Sequence, residues 1–113
     1  MTVVEVYRQN GIPLKLKVTG HSGYAQEGSD VVCAAVSVLV QTLHIGLADI
    51  LGQNVDSHVD EERAVIELSW KDDGSRELRV LTETIARTLC ETAQSYGSYV
   101  KYVEVPYNAF QGN

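Results

Sequence analysis

Between Val31 and Leu51 the chain carries an almost continuous apolar helix pattern. Val31, Val32, Val36, Val38, Leu39, Val40, Leu43, Ile45, Leu47, Ile50 and Leu51 cover most of its circumference. A helix with one apolar stripe rests on a core, whereas one that is apolar nearly all round is buried on more than one side. In a chain of 113 residues that leaves a central position or a face shared with a second copy, and a homodimer is the expectation. Gln41, His44 and Asp49 interrupt the run, which therefore reads as a core helix and not a membrane span.

The flanking segments supply a sheet for this helix to cover. Residues 3–9 and 12–19 read as a hairpin around Asn10-Gly11, a dipeptide suited to a type I′ turn. Ile12, Leu14, Leu16 and Val18 alternate with Pro13, Lys15, Lys17 and Thr19, so the second strand has one wet face. Pro13 suggests an edge position there. Residues 20–29 form a loop, and the helix runs from about 31 to 51, stopping near Gly52. Residues 54–59 and 64–70 read as a second hairpin that turns through Asp60-Glu61-Glu62-Arg63, a solvated acidic turn. After a capping region at 72–75, a helix covers 76–96. Leu78, Leu81, Ile85, Leu89, Ala93 and Tyr96 share one face, and Gly97 is the stop signal. A last strand spans 99–105 and ends at Pro106, with a loose tail over 107–113. Tyr96, Tyr99, Tyr102 and Tyr107 read as packing for the sheet and its edges. The order ββαββαβ is that of a two-layer α+β fold, in which a mixed, mainly antiparallel sheet carries two helices. No repeat or linker divides it, so residues 1–113 read as a single domain.

Composition removes several function classes. The net charge of −6 argues against direct binding to nucleic acid, which needs clustered Lys and Arg. Met1-Thr2-Val3-Val4-Glu5 lacks the basic start and apolar block of a signal peptide, so the expected location is cytoplasmic, with no membrane association. In that setting two cysteines read as free thiols. There is no CxxC and no HxxxH, so no metal site is expected. The loop glycines form neither a P-loop nor a dinucleotide fingerprint, and no cofactor is implied.

What remains is the chemistry of Gly20-His21-Ser22-Gly23-Tyr24-Ala25-Gln26-Glu27-Gly28-Ser29-Asp30-Val31-Val32-Cys33-Ala34-Ala35-Val36-Ser37. Asp30 reads as an N-cap, which makes Cys33 the third helical residue. There the partial positive charge of unpaired N–H groups favours a thiolate, while the Asp30 carboxylate opposes it. Ser37 lies one turn below on the same face. A cysteine nucleophile needs a proton acceptor within about 3 Å. His44 is eleven residues along the helix, about 16 Å away at 1.5 Å per residue, which excludes it. The position of His58 is not fixed by sequence. His21, joined to Cys33 by a short loop from a strand end to a helix start, is the best candidate. Cys90 reads as a small buried hydrophobe in mid-helix. Residues 22–29, which contain Gly23 and Gly28, read as a lid whose conformation sets the distance between His21 and Cys33.

The segment from Gly20-His21 through Gly28-Ser29-Asp30-Val31-Val32-Cys33-Ala34-Ala35-Val36-Ser37 resembles the signature of the ribosomal-processing cysteine proteases. That pattern runs Gly-His, a short loop, then Gly-x-Asp-(Ile/Val)-Val-Cys-Ala-Ala-Val-Ser. The resemblance extends over the whole chain in length and element order. It implies a small homodimeric α+β protease that removes a short N-terminal extension from a large-subunit ribosomal protein, the twenty-seventh in the usual naming. By position it implies Cys33 as nucleophile and His21 as acid/base, with Gly20, Asp30 and Ser37 as further motif positions and Ser22, Gly23 and Gly28 in the substrate loop. Ser22 departs from the alanine usual after the histidine, a small-for-small change. Two other classes fit parts of the sequence. A non-catalytic ribosome-associated protein would suit the acidic charge, and another thiol hydrolase or acyl-transfer enzyme would suit Cys33 with His21.

Overall fold

The computed structural model describes residues 1–20 and 29–108, with Ser29 and Asp30 described by their backbone alone. Five strands, β1 (Thr2–Gln9), β2 (Ile12–Thr19), β3 (Asp56–Asp60), β4 (Val65–Ser69) and β5 (Val100–Pro106), alternate with two helices, α1 (Ser29–Ile45) and α2 (Arg76–Ser95). The ββαββαβ order and the α+β class are those expected. The sheet runs β3-β4-β2-β1-β5. Among the described residues only β1 and β5 pair in parallel, with Val4 opposite Tyr102, and the other three pairs are antiparallel.

The first hairpin turns as its sequence requires. Asn10 and Gly11 both take positive φ, 53° and 78°, the signature of a type I′ turn. Pro13 does not mark an edge, however, because β2 is the central strand, flanked by β1 and β4. The register slips between Tyr7 and Arg8, where Arg8 pairs with Pro13 and Tyr7 with Lys15, so Leu14 is the extra residue of a bulge. Pairing with β4 begins only at Lys15. Pro13 thus occupies the strand start and bulge, where its missing N–H costs no ladder bond. Its carbonyl accepts the indole N–H of buried Trp70 at 3.0 Å.

Both helices lie on the face carrying Val4, Val6, Leu14, Leu16, Val18 and Leu68, which form one core with the helix side chains. From α2 come Leu78, Thr82, Ile85, Ala86 and Leu89. Leu81 and Ala93 pack partly against them, but Tyr96 is half exposed, because the helix ends at Ser95 and Tyr96 is its C-cap. Gly97 follows that cap without the positive φ of a left-handed stop, which Gly52 does adopt at +68° after the first helix. Tyr99 and Tyr102 pack against the core as expected. Of the tail expected to be loose over 107–113, Tyr107 is held in place, and residues 109–113 lie outside the described residues. The N–H of Tyr107 donates to the Arg8 carbonyl at 2.9 Å and its ring meets Tyr7 edge-on.

α1 buries a single stripe, Val32, Val36, Val40 and Leu43, continued by Leu47. Its last turn widens into a π-helical turn over Gly46–Ile50, closed by Leu51 N–H donating to Gly46 O at 2.9 Å. A Cβ on Gly46 would lie 2.7 Å from Leu81 Cδ2, so the backbone of the first helix rests directly on α2. Burial on more than one side is not found within one chain, since Val31, Val38, Ile45 and Ile50 are all more than half exposed. The polar interruptions do not shorten the run either. Val31–Ile50 is long and apolar enough to cross a membrane by length and composition. In this fold its stripe is part of the core, and withdrawing it would strip the sheet of half its cover.

Arg8 ties β1 to α2. Its guanidinium donates to both Glu83 oxygens, at 2.7 and 3.0 Å, and to Glu104 at 3.0 Å. The Arg8 hydrogen bonds to Glu83 hold its carboxyl below the ordinary value of 4.5, against an opposing effect of burial. A depressed carboxyl pKa adds stability above the unfolded value and loses it as pH falls through the folded one. Glu83→Gln should cost about 1 kcal/mol at pH 7, the pair being half open to solvent. In urea denaturation the difference from wild type should shrink steadily below pH 4.5.

Candidate active site

The chain leaves β2 through Gly20, whose φ of +93° and close approach to the Met1 carbonyl admit no side chain. A Cβ there would lie 2.5 Å from that oxygen. Gly20 N–H donates to Ala64 O at 2.9 Å, tying the strand exit to the β3–β4 turn. Ala64 is itself held at φ 54°, a strained value for a residue with a Cβ. That turn is shorter at its start than expected, since Asp60 belongs to β3. Glu61 and Glu62 are exposed as expected of a solvated turn. His21, Ser22, Gly23 and Gly28, with the lid expected over 22–29, lie outside the described residues, apart from Ser29 at the helix start.

α1 begins at Ser29, so Asp30 is its second residue and not its N-cap. Cys33 is accordingly the fifth residue, at the start of the second turn. Helical side chains lean toward the N-terminus, so the thiol is carried back over the first turn, where the dipole acts. Cys33 is a half-buried free cysteine at the margin of the Val32–Val36 stripe, with exposed Ser37 one turn on. Half-burial lets a thiol meet a substrate while the helix holds its backbone rigid.

The other titratable candidates separate from it. His44 is half-buried in the last turn of α1, at the far end of the helix. His58 pairs with Glu67 in β3–β4, and Glu67 pairs with Lys17. That register puts His58 on the sheet face away from the helices, and so away from Cys33. Cys90 is half-buried on α2, more open than a core residue, where Gln94 Nε2 donates to its Sγ at 3.9 Å. Among the described residues no group of three His, Cys, Asp or Glu could hold a metal ion. The Gly20–Ala64 bond was not foreseen in the sequence, because nothing in an alanine's neighbourhood signals a positive φ.

A family described as cysteine protease Prp matches residues 1–101. No curated protein matches the chain. Among solved structures, SMU.848 from Streptococcus mutans is 23% identical with a TM-score of 0.86, over 95% of this chain and 96% of its own. The ribosomal processing protease Prp from S. aureus, in complex with a substrate peptide, is 16% identical with a TM-score of 0.82, over 92% and 99%. The same protease with a covalently linked product peptide is 17% identical with a TM-score of 0.79, over the same shares. At these identities the likeness establishes the fold.

The placement of the thiols and imidazoles yields a direct test. Cys90→Ala, His44→Ala and His58→Ala should each leave peptide cleavage within about twofold of wild type, whereas Cys33→Ser should abolish it. Iodoacetamide labelling followed by mass spectrometry should show activity lost in step with modification at Cys33 and independent of modification at Cys90.

Proposed function

The chain belongs to the family of cysteine proteases Prp, and on that premise we propose that it removes the short N-terminal extension of a large-subunit ribosomal protein, the twenty-seventh in the usual naming. The observation that carries this reading is the family match across residues 1–101, which contains the whole Gly20–Ser37 motif. A half-buried Cys33 near the start of a rigid helix supports it.

In the proposed reaction the Cys33 thiolate attacks the scissile carbonyl carbon, and free N–H groups at the helix start donate hydrogen bonds to the developing oxyanion. The His21 imidazolium then gives its proton to the departing amine as the C–N bond breaks, leaving a thioester on Cys33. A water molecule gives a proton to His21 and attacks the thioester. The C–S bond breaks, the new carboxylic acid leaves and gives its proton to solvent, and thiolate and imidazolium are restored. The chemistry calls on no cofactor. The precursor of a ribosomal protein is the proposed partner, with no direct nucleic-acid or membrane contact, in the cytoplasm.

The outer side of α1 supports a homodimer. Val31, Ala34, Ala35, Val38 and Ile45 recur at helical spacing and are all exposed, an apolar stripe opposite the buried one. Covering such a stripe with its own copy satisfies the all-round apolar pattern that one chain leaves half open.

Incubating the protein with the ribosomal precursor should yield the shortened product, read by mass spectrometry, and none with Cys33→Ser. His21→Ala should lower the rate by about 10²–10⁴-fold with an unchanged circular-dichroism spectrum. An unshortened precursor in the presence of wild-type protein would remove this substrate from consideration. Val38→Glu should convert a dimer in sedimentation equilibrium into a folded monomer. A wild-type monomer at the same concentration would refute the dimer.

A further inference from the structure

The chain leaves the middle of the sheet at a clamped point. Thr19, the last residue of β2, has Val3 of β1 on one side and Val65 of β4 on the other. One residue on, Gly20 turns out of the strand at φ +93° and is held on both flanks. On the β4 side its N–H donates to Ala64 O at 2.9 Å. On the β1 side the Met1 carbonyl stands where a side chain would be. That flank is fixed in turn, since buried Thr2 donates its N–H to Tyr99 O at 2.8 Å.

The Ala64 carbonyl reaches Gly20 from a backbone conformation that an alanine resists. Residues 61–64 close the β3–β4 hairpin, and Ala64 ends that loop at φ 54°. Hairpin loops often need a left-handed residue, a position that glycine or asparagine fills at little cost. The first hairpin follows that rule with Asn10 and Gly11, so among the described residues Ala64 is the one apolar side chain carried at positive φ. A strained residue persists only where its surroundings hold it. Here the hold is local. Ala64 N–H donates to Glu61 O at 3.3 Å, and Arg63 N–H to Asp60 Oδ1 at 3.1 Å. The turn is set by its own bonds, and the Ala64 carbonyl is left to act on Gly20.

We infer that Ala64 is a positioning residue for the peptidase: its carbonyl holds Gly20, and so fixes the point from which His21 leaves the sheet. The inference deepens the peptidase reading and rests on it. His21 is bonded directly to the Gly20 carbonyl carbon, so a displaced Gly20 displaces the backbone that carries the proposed acid/base. Proton transfer needs heavy atoms about 3 Å apart, and a misplacement of about 1 Å costs on the order of 10²-fold in rate. A central strand bonded to a neighbour on either side is the most rigid support this fold offers, and functional groups keep their geometry best on such elements. Ala64 touches no reacting atom in this scheme and acts through Gly20 alone. If the bond served the rim of the sheet and nothing else, losing it would lower stability and leave turnover per folded molecule intact.

The test replaces Gly20 by glycolate in the full chain, an amide-to-ester exchange that deletes the N–H and adds no side chain. With a fluorogenic peptide spanning the extension–body junction of the ribosomal precursor, kcat should fall tenfold or more while KM stays within about twofold. The acid limb of the kcat/KM pH profile should move toward that of His21→Ala, a shift that a smaller folded fraction does not produce. The same exchange at Tyr107, whose N–H donates to Arg8 O at 2.9 Å at the other end of the sheet, should cost stability and leave kcat and the profile alone. Ala64→Gly keeps the left-handed turn without strain, so it should raise the urea midpoint with kcat within about twofold of wild type. Ala64→Val is β-branched and resists positive φ most, so it should lower kcat about tenfold, whereas Ala64→Asn should match Ala64→Gly. A Gly20 ester with wild-type kcat and pH profile, or a Tyr107 ester with the same loss, would overturn the inference. If Ala64→Val fails to fold, the ester at Gly20 decides alone. Cleavage that survives Cys33→Ser would instead refute the peptidase assignment of Cys33, so the two failures are distinguishable.

Discussion

The antiparallel pairing of β2 with β4 at the centre of the sheet determines where everything else can go. Each of these strands feeds a helical crossover to a strand parallel to it, β2 through α1 to β3 and β4 through α2 to β5. Such crossovers are right-handed. Because the two feeding strands run in opposite directions and their crossovers move toward opposite edges, both helices land on the same face. One face is thus built into a core and the other is left to strand side chains alone. The start of α1 and the end of β2 come to the same rim, where the chain leaves β2 through Gly20 and the helix that carries Cys33 begins.

On that rim packing and chemistry make different demands on one helix. α1 needs an apolar stripe to hold the sheet, and Val32, Val36, Val40 and Leu43 supply it. Cys33 sits one residue off that stripe, deep enough to be held and shallow enough to be reached. A shift of one position toward Val32 would bury the thiol, and a shift toward Ala34 would leave it on the fully exposed side. Half-burial here follows from helical phase. The close contact of Gly46 with Leu81 fixes that phase by locking the far end of the helix against its neighbour.

Most of the architecture was legible from local pattern. The Asn10-Gly11 turn, the alternation in β2, the Ser75 cap with its oxygen accepting Leu78 N–H at 3.1 Å, and the glycine stop at 52 are all short-range signals. The errors lie where long-range pairing overrides them. Pro13 looked like an edge residue because a proline's cost depends on which neighbour needs its N–H, and a bulge removes that need. Asp30 looked like a cap because capping residues are favoured there, yet the helix starts two residues earlier than that reading requires, at Ser29. Gly97 follows a helix end that Tyr96 already closes. The motif around Cys33 could be read directly, since its chemistry is carried by residue identity. The edge character of β3 could not, because five residues alternating between Asp, Ser, His and Val read alike whether one or two strands flank them.

The parallel pairing of β1 with β5 has a consequence for the order of assembly. Val4 faces Tyr102, and nearly the whole sequence lies between them. While the chain is being synthesised, β1 has its partner β2 at once, but its other margin stays bare until the final strand emerges. The Thr2 N–H that bonds Tyr99 O and the Arg8 carbonyl that receives Tyr107 N–H wait equally long. Closing so large a loop is slow compared with forming a hairpin or a helix. The nascent chain therefore carries an unfinished sheet through most of its translation, and the rim where β2 ends and α1 begins is tightened from the β1 side only when the last strand is in place.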